Sequence, residues 1–99
     1  MGVRLARTAT IERGKRNEAV EFAATISEYW KENFGVAVTW GVQVGGTLGT
    51  LHWHSDYENM AHFEQAIGFA QSDAGYSKLV DEANELFAAP PEDTIIYTM

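Results

Sequence analysis

The stretch from Val36 to His54 reads VAVTWGVQVGGTLGTLHWH, and it constrains the fold more than any other part of the chain. Val36, Val38, Trp40, Val42 and Val44 recur at every second position, with Ala37, Thr39, Gly41 and Gln43 between them. Side chains of a strand point alternately to opposite faces, so period two over this length predicts a half-buried strand. Gly45-Gly46 is a hairpin turn signal, and TLGTLHWH predicts the returning strand. One face of such a hairpin is bulky and apolar and calls for covering helices. The other is small and polar.

The rest of the chain supplies those partners. Val3, Leu5, Ala9 and Ile11 alternate with Arg4, Thr8 and Thr10 and predict a first strand, closed by Gly14. Val20, Ala23, Ala24, Ser27, Trp30 and Phe34 recur at helical spacing and predict a helix over 16–33 that stops at Gly35. Ser55 with Glu58 three residues later fits a capping box, with Asp56 also favouring a helix start there. Tyr57 and Asn59 then fall in the first turn. Met60, Phe63, Ile67 and Ala70 form the stripe of that helix, QSDAG interrupts it, and Tyr76, Leu79, Val80, Ala83 and Leu86 make a further helical segment. Pro90-Pro91 ends the helical region, and TIIYTM predicts a last strand. The order β-α-β-β-α-α-β, with no linker or repeat, implies one α+β domain over 1–99. It fits a ferredoxin-like arrangement of four antiparallel strands with helices on one face.

Such a sheet leaves its second face open to solvent, to nucleic acid or to another copy of itself. The net charge of −7 argues against nucleic acid, whose binders present a basic face. RNA-recognition domains share the element order but expose aromatic and basic residues on the sheet. Pairing of two sheets in a homodimer is therefore the expected answer. The basic residues Arg4, Arg7, Arg13, Lys15 and Arg16 cluster near the start, where they suit either a small anion or plain solvation. No apolar run approaches the roughly 20 residues of a membrane helix, and no secretory signal is evident. With no cysteine there is neither a disulfide framework nor a thiolate metal site. A cytoplasmic setting is the expectation.

The length, the order and the segment HWHSDYENMAHF resemble the dimeric α+β barrel superfamily, in which two ferredoxin-like subunits join their open sheet faces around a cavity. Trp40, Gly45, His52 and Tyr57 lie close to the pattern of the NIPSNAP-like branch, although Trp53 follows His52 directly and an extra residue precedes Tyr57. Trp53 and His62 are similar in spacing to the strand-end tryptophan and helical histidine of antibiotic-biosynthesis and haem-degrading monooxygenases. Those enzymes commonly use a first-strand asparagine, where this chain has only Arg7, Thr8 and Thr10. The resemblance implies a small homodimeric barrel holding a small apolar or aromatic molecule, either as a cofactor-independent monooxygenase or isomerase or as a non-catalytic binding domain.

A two-residue turn at Gly45-Gly46 would pair Val44 with Thr47, Trp40 with Leu51 and Val38 with Trp53. His52 then lies opposite Thr39 and His54 opposite Ala37, both on the small polar face, where they would line a cavity. A three-residue turn would exchange the faces and bring Trp53 to the cavity instead. In the catalytic reading His52, with His54 or His62, serves as acid or base. Trp40, Trp53, Thr39 and Tyr57 would shape the pocket, and Arg7 or Tyr97 would steady an anion. Each of these residues also has an ordinary structural reading as core, cap or hydrogen-bonded surface. His52 and His54 could offer two imidazoles to a metal, with Asp56 or Glu58 as a third ligand, but the spacing matches no strong metal motif, and no cofactor or metal is expected. Neither a phosphate loop nor a dinucleotide fingerprint is present. Glu92-Asp93 and Asp81-Glu82 read as solvated pairs.

Overall fold

Alternation decides where the core forms. The computed structural model describes residues 2–46 and 49–99. The elements are β1 (Gly2–Thr10), α1 (Arg16–Phe34), β2 (Val38–Val42), β3 (Thr50–Tyr57), α2 (Met60–Ser72), α3 (Ala74–Glu82), a 3-10 turn at Asn84–Leu86, and β4 (Glu92–Thr98). The strands form one antiparallel sheet in the order β2-β3-β1-β4, so each helical connection skips over one strand. This is the ferredoxin-like α+β arrangement that the order of periodicities implies. No helix is long and apolar enough to cross a membrane among the described residues.

Val3, Leu5 and Ala9 of β1 and Leu51, Trp53, Ser55 and Tyr57 of β3 are buried, and the register pairs Val3 with Tyr57, Leu5 with Ser55 and Ala9 with Leu51. These residues meet Ala19, Ala23, Ile26 and Trp30 of α1 and Phe63, Ala66 and Ala70 of α2. Full burial of Leu51 or Val3 stabilises the fold by roughly 1.5–3 kcal/mol each. The buried stripe of α1 runs through Ala19 and Ala23 to Ile26, Ser27 and Trp30, whereas Ala24 is exposed and Val20 only half-buried. The helix is thus rotated from the expected stripe, because Trp30 and the half-buried Phe22 carry more apolar area than Val20 and Ala24. Its end is as expected: Gly35 takes φ 68°, the left-handed conformation that glycine adopts without strain, and returns its N–H to the Trp30 carbonyl.

Two local expectations are corrected. First, β2 and β3 pair Val38 with Ser55, Trp40 with Trp53, Gly41 with His52 and Val42 with Leu51. This register is displaced by two residues from the one a two-residue turn gives. Positive φ falls on Gly46 and Gly49 rather than on an adjacent glycine pair, so the connection is longer. The expected pairing of Val44 with Thr47 lies outside the described residues. A displacement of two leaves every side chain on its original face.

Second, Ser55 and Asp56 do not begin a helix. They extend β3, where Ser55 is buried opposite Leu5 and Asp56 is held by the Arg4 guanidinium at 2.8 and 3.1 Å. Tyr57 closes the strand. The cap of α2 is Asn59, whose side-chain oxygen accepts the His62 N–H at 2.9 Å. The break between α2 and α3 is built on Asp73, whose carboxylate accepts the Tyr29 hydroxyl and the Tyr76 N–H, the latter at 2.8 Å. The Tyr29 hydroxyl lies so close to Gly75 that a Cβ there would collide with it.

Replacing Asn59 with Ala is expected to lower stability by about 1 kcal/mol in urea unfolding, while Glu58→Ala stays within about 0.5 kcal/mol. The reverse order would restore the capping box at Ser55 and Glu58. The Asp73 carboxyl is held below the ordinary carboxylate range, first by the Tyr29 hydroxyl and then by the Tyr76 N–H. The unfolded chain therefore takes up this proton before the folded one does, so the stability it contributes is present at neutral pH and lost as pH falls through the folded-state value. Thermal melts between about pH 6 and pH 2 should show a shallower acid loss for Asp73→Asn than for the parent chain. Parallel curves would remove this role.

Candidate functional site

One residue breaks the apolar parity of β1. Positions 3, 5 and 9 are buried apolar residues on the helix side, and position 7 of the same series is Arg7, paired across the sheet with Trp53. A charged side chain on a core face needs partners and space, and both are present. Between sheet and helices lies a cavity of about 420 Å³ whose lining includes Arg7, Trp53 and Ser55 from the sheet, Phe22 and Trp30 from α1, and Tyr76 and Val80 from α3. Phe87, Pro90 and Pro91 line it from the connection to β4. The size falls within the usual range for a small-molecule site, and most of the wall is apolar.

The cavity exists because the helical layer covers the sheet incompletely. No residue of α3 is fully buried. On β4, Ile95 and Tyr97 lie opposite the buried Leu5 and Val3, yet remain 51% and 55% exposed. Aromatic rings wall the space at their edges: Phe22, Trp53 and Phe87 are mutually edge-on at 5.9–6.5 Å, and Trp30 meets Tyr76 at 5.7 Å.

Its polar groups are few. Arg7 donates from Nε and Nη2 to the two carboxylate oxygens of Asp93 at 2.6 and 2.8 Å, and from Nη1 to the Tyr76 hydroxyl at 3.3 Å. The Asp93 hydrogen bonds push the guanidinium further into its charged form, against the opposing effect of burial. The Ser55 hydroxyl shares a 2.9 Å hydrogen bond with that of Tyr57. Burial raises the Tyr57 phenol above its ordinary value, so it stays neutral at physiological pH. Among the described residues, Trp53 Nε1 is the one buried side-chain polar atom without a hydrogen-bond partner. An indole N–H is a donor only.

The residues singled out from the sequence fall into separate places. Arg7 and Trp53 meet in the cavity. His52 and His54, one residue either side of Trp53, point to the opposite, open face of the sheet, where a shallow groove of about 290 Å³ gathers them with Thr39, Gly41 and Gln43. Trp40 borders this groove but pairs with Trp53 in the register, on the helix-side parity. Strand parity therefore places His52 and His54 on the opposite face of the sheet from Trp53. His62 packs its ring on Tyr57 at 5.4 Å and accepts the Glu58 N–H on Nδ1. Tyr97 pairs with Val3 from the edge strand and is largely exposed.

Tyr76, Asp93, Phe22, Phe87 and Ser55 were not expected in the site. Asp93 belongs to β4 and is bound to Arg7, which corrects its reading as a solvated acid. The signal that could have found the cavity was Arg7 at an odd position of the first strand.

No protein-family model matches the sequence, and no curated relative does. Solved structures do match in shape. A NIPSNAP family protein from Agrobacterium tumefaciens str. C58 superposes with a TM-score of 0.79 at 16% identity, over 100% of this chain and 94% of its own. An uncharacterized NIPSNAP domain protein from Burkholderia xenovorans gives 0.82 at 16% identity, over 100% and 95%. A candidate antibiotic biosynthesis monooxygenase from Nitrosomonas europaea gives 0.77 at 13% identity, over 99% and 90%. At these identities the likeness is one of fold, and the chain has the ferredoxin-like fold that the NIPSNAP and antibiotic-biosynthesis-monooxygenase structures share.

Proposed function

We propose that this protein binds one small, mostly apolar or aromatic molecule in the cavity between its sheet and its helices. The observation that carries the reading is the cavity of about 420 Å³ itself, mostly apolar and walled by the ring edges of Phe22, Trp30, Trp53, Tyr76 and Phe87. The Trp53 N–H has no partner but is closed off from the cavity space, so a bound molecule would meet it only if the indole turned. The ligand this describes is flat enough to lie among ring edges.

A catalytic reading has one observation in its favour. The Tyr76 hydroxyl lies beside the Arg7 guanidinium at the cavity wall, and a fixed cation next to a phenol is an arrangement that steadies an oxyanion. A cofactor-independent monooxygenase or isomerase would draw on that pair, since the cavity lining contains no histidine. We further propose that the open sheet face, with its small side chains and its histidines, pairs with a second copy in a homodimer in a cytoplasmic setting.

Thermal-shift and fluorescence titrations with a panel of planar aromatic carbonyl compounds should find a ligand that raises the melting temperature. Trp53→Phe keeps an aromatic ring but removes the fused half of the indole that walls the cavity, and should weaken that ligand about tenfold. Val80→Trp, which fills the cavity from α3, should abolish binding. Binding indifferent to both substitutions would place the ligand elsewhere. Sedimentation should give twice the chain mass of 11.0 kDa. A species of single-chain mass at micromolar concentration would remove the homodimer.

A further inference from the structure

His52 and His54 lie on the open face, with the sheet between them and the cavity, and their surroundings differ from those of solvated strand histidines. Gln43 Nε2 donates to the Gly45 carbonyl at 2.6 Å, which turns the Gln43 Oε1 toward His52. His52 Nε2 meets that oxygen at 2.6 Å and donates its N–H to it. In the neutral ring that tautomer leaves Nδ1 as the lone-pair nitrogen. An imidazole oriented by a carbonyl on its other nitrogen is the usual outer-shell arrangement of a metal-binding histidine. His54 follows two residues later on the same face, and its imidazole makes no hydrogen bond to a described residue.

We propose that His52 and His54 form a two-imidazole site for one borderline divalent cation, copper(II) or zinc(II) in class, whose remaining positions are filled by water. With metal–nitrogen bonds of about 2.0–2.1 Å, two histidines on one ion have ring centroids about 6.4 Å apart when they lie opposite each other and about 4.5–5.2 Å apart when they are adjacent. The two rings stand at 6.3 Å, so adjacent coordination requires the His54 ring, which no hydrogen bond to a described residue fixes, to turn toward His52. Asp56 comes next on the same face, but Arg4 occupies both of its oxygens, and among the described residues no cluster of three or more potential ligands forms. The site is therefore bidentate. Two imidazoles with no thiolate or free carboxylate favour copper(II) over magnesium or calcium, and among first-row divalent ions copper(II) binds such a set most tightly. Gly41, paired with His52 in the register, has open space where a Cβ would stand, so neighbouring side chains leave room for the ion and its waters.

This inference does not rest on the cavity ligand. Because the two histidines lie on the face proposed to meet a second copy, the titration is read per chain at a concentration where sedimentation has fixed the oligomeric state. The site is tested on the tag-free full chain, because a polyhistidine tag would itself bind the ion. Calorimetric titration with copper(II) and zinc(II) is expected to give one ion per chain, copper(II) the tighter, and the copper(II) electron paramagnetic resonance spectrum should show coupling to two imidazole nitrogens. His52→Ala and His54→Ala should each weaken binding at least 100-fold. Gln43→Leu, which keeps both ligands but removes the carbonyl that orients His52, should weaken it 10- to 100-fold. His62→Ala should leave it unchanged. Should His52→Ala fail to fold by circular dichroism, His54→Ala carries the same test. Wild-type affinity in the chain lacking both His52 and His54, or the absence of nitrogen coupling in the parent, would overturn the site.

Discussion

The antiparallel pairing of β1 with β3 is the constraint on which the rest of the structure depends. It places Arg7 opposite Trp53 and Leu5 opposite Ser55, and these four residues line the sheet side of the cavity. Because side chains alternate with period two, the same pairing sends His52 and His54 to the other side. One register therefore decides both what the enclosed space can recognise and what the open face can present. A slip of one residue would bury the histidines under the helices and expose the indole. The apolar anchors Val3, Leu51 and Tyr57, buried on the same face as Trp53, hold the register against that slip.

Arg7 shows how the fold accommodates a charge where its pattern asks for an apolar residue. Full burial of a guanidinium costs far more than one hydrogen bond returns. Asp93, reached from the edge strand β4, supplies a bidentate partner, and the pair stays 30% and 38% exposed in its side chains. An ion pair of that exposure contributes on the order of 1 kcal/mol or less to stability. A leucine at position 7 would serve packing better, so core packing does not account for the arginine. Tyr76 ties this end of the cavity to the helical break, since Asp73 fixes its N–H while Arg7 reaches its hydroxyl.

The parts of the fold that depend on periodicity were legible in the sequence. Alternating runs, helical spacings and glycine stops lead to the element order and, through it, to the sheet topology and the separation of His52 from Trp53. The parts that depend on competition between neighbours were not. Ser55 with Glu58 satisfies the pattern of a capping box, but Leu5 and Arg4 offer Ser55 and Asp56 better partners in the sheet, and Asn59 takes the cap instead. The hairpin turn depends on which glycines take positive φ, a choice that composition leaves open. The cavity arises from what α3 and β4 fail to cover, and an absence of packing leaves no periodic trace. Arg7 at an odd position was its one local sign.

Trp53 and its two flanking histidines lie consecutively on one strand, so β3 carries a donor on one side and imidazoles on the other. The open face carries His52 oriented by Gln43, while the cavity side carries the indole of Trp53 and the Arg7 guanidinium bound to Asp93 and Tyr76. The two sides share the backbone of β3, and with it any adjustment of the strand. An ion that draws His52 and His54 together pulls on the Cα atoms either side of Trp53, and a ligand that holds the indole resists that pull.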